Sequence, residues 1–217
     1  MMAPQSDFYT PRGIHVYFKD GIKNDNIDPE EVVSNLENML PNHLLSEIEM
    51  IIVGWFEEFD RRSINAFYDG GTLYVSNTQN DNSDMFDDLI HETAHSLEQP
   101  YGMLIYGDGK LEREFLRKRK HLHDLLWAKG FKIPESVFVS SEYNEELDMF
   151  LYKEVGYEKL SSMVRGLFIS AYAVTSLREY FATGFTDFYL EPDRKFLKTV
   201  SPVLYEKLVE LNDIEED

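Results

Sequence analysis

Cysteine is absent from this chain of 217 residues. Disulfides and thiolate metal ligands are thereby excluded, so any bound metal must draw on histidine nitrogen and on oxygen from carboxylates or water. Positive charge is scarce: 21 Lys and Arg stand against 40 Asp and Glu, a formal net charge of −19. That balance opposes nucleic acid and anionic membrane surfaces as partners. It keeps the chain soluble, or, in a sharper reading, attracts a basic peptide. No apolar run approaches a membrane span, which needs about 20 residues. The N-terminal MMAPQSDFYTPRG lacks the basic stretch and apolar core of a secretory leader. A cytoplasmic protein and a mature secreted one both remain compatible with that.

What is present is the composition of a compact domain, 43% hydrophobic and 14% aromatic. Residues 13–19 (GIHVYFK) alternate as a strand, and Asp28-Pro29 opens a helix that Pro41 ends. Residues 48–56 form the most strand-like run, and 63–77 a hairpin turning at Asp69-Gly70-Gly71. Beyond Pro100 the pattern is helical, over 110–129, 144–166, 176–190 and 202–213. The expected architecture is α+β: a small mixed sheet with an N-terminal helix and a motif helix, then a mainly helical half. It forms one domain over 1–217, with a sheet-containing lobe at 1–100 and a helical lobe at 101–217.

Histidine numbers only six, yet two fall in HETAH at 91–95. A step of four on a helix returns to nearly the same face, so His91 and His95 can aim at one zinc ion. Glu92 lies off that line and can reach a water on the metal, the place of a general base. Asn82, Ser83 and Asp84 are N-cap candidates, and Met85, Phe86, Leu89, Ile90 and Ala94 form an apolar face. The pair is thus embedded in a partly buried helix, unlike two stray surface histidines. The other histidines are weaker candidates. His121 and His123 are two apart and face different sides, and His15 and His43 stand alone. REFLRKRKHLH, within 110–129, reads as a solvated basic face.

Catalytic zinc usually has three protein ligands and an open position. Tyr101 occupies the place of a third histidine in HExxHxxGxxH, so the third ligand is expected to be a carboxylate farther along. Many acids are available. Glu179 is the best placed, flanked by Leu177, Tyr180, Phe181, Ala182 and Phe185.

HETAH together with EYFATGF resembles the lethal-factor-like zinc metallopeptidases, the group of anthrax lethal factor and the Pro-Pro endopeptidases, over roughly 63–190. The resemblance implies a zincin-like fold with Glu179 as third ligand, hence a gluzincin. It also implies that Tyr172, seven residues earlier, donates a hydrogen bond to the reacting carbonyl oxygen. The hairpin strand before the motif helix would form a groove rim, with Gly71, Thr72, Leu73 and Tyr74 binding an extended peptide. Thr183 replaces the acid that in the family orients a zinc histidine, and Ala94 stands where glycine is common. The expectation is therefore a metalloendopeptidase with one zinc per chain, acting on a peptide or protein. The rival is a zincin-fold interaction protein without catalysis, against which the intact Glu92 and Tyr172 argue. Oligomeric state and cleavage-site preference are not legible.

Overall fold

The computed structural model describes residues 6–214, so the first five positions of the N-terminal stretch read above lie outside it. It divides into two compact units, residues 6–100 with Ile214 and residues 101–213. The architecture is α+β, with a small mixed sheet and many helices. Among the described residues no helix is long and apolar enough to cross a membrane.

The first unit holds five strands: β1 (Phe8–Tyr9), β2 (His15–Phe18), β3 (Met50–Gly54), β4 (Ala66–Asp69) and β5 (Thr72–Ser76). They lie in the order β1-β2-β3-β5-β4, with the central pairs parallel and the two outer pairs antiparallel. The hairpin turns at Gly70 and Gly71, whose φ angles of 50° and 86° suit the tight two-residue turn that glycine favours. Alternation assigns the faces. Val16, Ile51, Val53, Leu73 and Val75 are fully buried on one side. On the other, Tyr74 stacks on Phe67 at 4.5 Å, with Phe56 and Phe59 edge-on to them.

Three α-helices lie in this unit, α1 (Pro29–Met39), α2 (Glu57–Arg62) and α3 (Asn82–Ser96), and α4 (Glu98–Tyr106) begins in it and continues into the second. Asp28 caps α1, its carboxylate accepting from the backbone N–H of Glu30 and Glu31 at 3.1 Å each. Helix α3 packs on β4, β5 and α1. Of the strands and helices named so far, β1, α2 and α4 escaped the sequence reading. β1 is two residues long, α2 buries only Phe59, and α4 runs through Pro100. Proline is tolerated there because it stands in the first turn, where the backbone N–H has no intrahelical partner.

The second unit holds α5 (Lys110–Ala128), α6 (Glu145–Met149), α7 (Tyr157–Val164), α8 (Leu177–Leu190), α9 (Lys195–Val200) and α10 (Pro202–Asn212). The single helix expected over 144–166 is instead interrupted by a π-helical stretch at Phe150–Val155 and by Gly156, whose φ is 83°. The expectation of a solvated basic face on α5 is also corrected, since Lys118 and Arg119 are buried. Lys118 Nζ donates to the Tyr180 hydroxyl at 2.6 Å and to Ser201 Oγ at 2.7 Å. Burial pushes its pKa down to about 8, partly offset by Glu114. Arg119 donates to the Ser140 carbonyl and lies against the rings of Phe115 and Phe138.

Glu114 ties three helices together. It accepts from the Tyr180 hydroxyl at 2.8 Å and from the N–H groups of Val203 and Leu204 at 2.9 and 3.2 Å. Those two N–H groups open α10, so a buried carboxylate from α5 serves as its cap. Gly184 completes the contact of α8 with α10: a Cβ there would meet Leu204 Cδ2 at 2.3 Å. Together these contacts hold α8 by residues adjacent to and one turn beyond Glu179.

Candidate metal centre

In the first unit the chemistry-bearing residues come from α3 and its junction with α4. The N-cap is Asp81, one residue before the three candidates read from sequence, and its carboxylate accepts from the Asp84 N–H at 2.9 Å. Met85, Leu89, Ile90, Thr93 and Ala94 face the interior, while Phe86 is only partly buried. Thr93 is accommodated because its hydroxyl donates to the Leu89 carbonyl at 2.7 Å. This anchoring leaves His91, Glu92 and His95 half-buried. The two imidazoles share a face as the spacing requires, with ring centroids 5.2 Å apart.

Glu92 is held from outside its own helix. Its Oε2 accepts from the backbone N–H of Tyr68 at 2.9 Å. Tyr68 lies in β4, the last strand of the sheet, and alternate N–H groups of such a strand point away from its one partner. His95 is held from within: its Nδ1 lies 2.6 Å from Glu98 Oε1. Glu98 was missed by the sequence reading. The available signal was an acid three residues beyond the second motif histidine, which on a helical path meets that ring.

The carboxylates preceding the motif are perturbed. Burial raises Asp88 to about 6, opposed by a hydrogen bond from Gln79 and reinforced by Asp84, Glu92 and Asp87. Asp87 is also raised, by burial first, with His91 opposing and Asp84 adding. A raised folded-state pKa favours the protonated carboxyl in the native protein, so this contribution to stability is present at pH below about 4 and lost as pH rises through about 6. In metal-free protein, Asp88→Asn is therefore expected to stabilise the fold at pH 7.5, by up to about 3 kcal/mol for a two-unit shift. The gain should vanish below pH 4, where the native aspartate is already neutral. Thermal melts at both pH values check this, and an equal change at both would assign the effect to packing.

The groove assignment requires correction. β5 is an interior strand, bonded to β3 on one side and β4 on the other, so its backbone has no free edge for a peptide. Leu73 is core, and Tyr74 belongs to the aromatic cluster. Gly71 donates to the Tyr68 hydroxyl and accepts from the N–H groups of Glu49 and Met50, while Thr72 pairs with Met50 and Asp69. The terminal strand is β4.

In the second unit, Glu179 is the third residue of α8. Ser176 caps that helix, its hydroxyl accepting from the Glu179 N–H at 3.1 Å. Ser-x-x-Glu is also a capping-box spacing, which alone would favour a glutamate at this position. Glu179 is half-buried, and Tyr180, Phe181, Ala182 and Phe185 are fully buried, as the sequence pattern implied. Tyr172 opens a 3-10 turn, Tyr172–Val174, that packs on α8. Its carbonyl accepts from the N–H and hydroxyl of Thr175 at 3.0 and 2.9 Å, and the residue is 44% exposed. Thr183 Oγ1 is buried without a hydrogen-bond partner. His123 is a core residue whose Nε2 bonds the Ile133 carbonyl at 3.0 Å, and His121 is exposed.

No protein-family model, curated protein or solved structure matches the chain.

Proposed function

We propose that this chain is a zinc-dependent metalloendopeptidase with a zincin-like fold of the lethal-factor-like kind. The observation that carries the reading is the arrangement on α3: two imidazoles on one face, an intervening glutamate fixed by a strand N–H, and a carboxylate on the second ring. In this reading His91, His95 and Glu179 hold the ion. Two imidazoles and a carboxylate, with no thiolate in the chain, are a donor set suited to catalytic zinc.

Bound zinc supplies Lewis acidity, polarising a carbonyl and bringing the pKa of water toward about 7. The remaining work belongs to the chain. Glu92 takes the proton of the attacking water and returns it to the leaving amine, and Tyr68 fixes its carboxylate for that task. Tyr172 donates its phenolic hydrogen to the carbonyl oxygen as negative charge develops there. The substrate is a peptide or protein, with basic residues favoured by the net charge of −19.

Metal analysis joined to digestion of a diverse peptide library tests the proposal. Purified wild-type protein is expected to carry about one zinc per chain and to lose cleavage on chelation. Glu179→Ala should release most of the metal, whereas full occupancy in that variant would assign the third position to another acid. Zinc uptake with no peptide cleaved would favour a non-catalytic interaction protein.

A further inference from the structure

We infer that Glu98 is the positioning residue for His95, holding the ring with its proton on Nδ1 and leaving Nε2 to ligate. The inference rests on the metal reading above, and its geometric part stands on the first unit alone. The Nδ1–Oε1 separation of 2.6 Å is short even for a charge-assisted bond. Side-chain exposures are 11% for His95 and 15% for Glu98, so water competes little for either partner.

The backbone fixes this meeting. Leu97, fully buried between the two residues, keeps helical geometry and donates its N–H to the Ala94 carbonyl at 3.2 Å. Glu98 then starts α4 with its side chain three positions beyond the histidine, the spacing at which helical neighbours touch. An imidazole has two nitrogens, and a carboxylate on one selects the tautomer in which the other carries the lone pair. It also makes that lone pair more basic, which strengthens ligation.

The test uses the full chain, freed of metal, as wild type, Glu98→Gln and Glu98→Ala. Zinc affinity is measured by competition with a chromogenic chelator, and the His95 tautomer by ring-nitrogen NMR shifts before zinc is added. The expected wild-type ring carries its proton on Nδ1. Glu98→Ala should weaken zinc binding by about 10–100-fold and shift the tautomer population. Glu98→Gln keeps an acceptor oxygen, so its effect should be smaller, and it carries the test should the alanine variant not fold. Unchanged affinity and tautomer in a folded variant would overturn the inference, as would a fall in melting temperature alone. A wild-type ring protonated on Nδ1 in a protein that takes up no zinc would support the positioning by Glu98 and overturn the metal reading instead.

Discussion

Glu92→Gln is expected to lower kcat by about 10²–10⁴-fold while zinc content and fold are retained, on the assignment of Glu92 as general base. Glutamine is the informative replacement. Its amide oxygen can still accept from the Tyr68 N–H, now made at 2.9 Å, so the contact of α3 with β4 survives. What is lost is the ability to take a proton. Because the residue is not a proposed ligand, metal analysis should give the wild-type value and KM should change little. Single-turnover cleavage of a library-derived peptide measures the effect. Retention of more than a tenth of wild-type turnover at neutral pH would remove Glu92 from the proton transfer.

Tyr172→Phe is expected to cost about a hundredfold to a thousandfold in kcat, roughly 3–4 kcal/mol, with little change in KM. The argument is that a neutral phenol donates one hydrogen bond that strengthens as charge develops on the carbonyl oxygen, so its removal is felt in the transition state. The residue is 44% exposed, and the bonds from Thr175 to the Tyr172 carbonyl are ones that phenylalanine keeps. Zinc content and melting temperature, measured alongside turnover, separate a loss of metal or fold from a loss of catalysis. Wild-type turnover in this variant would return Tyr172 to an ordinary aromatic and withdraw the lethal-factor-like assignment of the mechanism.

Legibility followed the range of the interactions involved. The His91–His95 pair was readable because four residues on a helix are a local geometry, independent of what the helix packs against. Asp28 as a cap and the glycine turn at Gly70-Gly71 were readable for the same reason. Glu98 was equally local, an acid one helical turn beyond His95. The bond from Tyr68 to Glu92 was beyond local reasoning, since it spans 24 residues and depends on which strand ends the sheet.

The sequence by itself determined the donor chemistry of this protein: no thiolate, a pair of histidines at helical spacing, a glutamate between them, and a second helix offering Glu179 beside a buried aromatic run. Such features depend on residue type and on periodicity, which the chain carries wherever it folds. Tertiary structure alone decided strand order, and with it that β5 lies inside the sheet and β4 at its end. It also decided that Lys118 and Arg119 are interior. A run of basic residues reads as a solvated face until partners distant in sequence, here Tyr180, Ser201 and the Ser140 carbonyl, offer hydrogen bonds that offset part of the cost of desolvation.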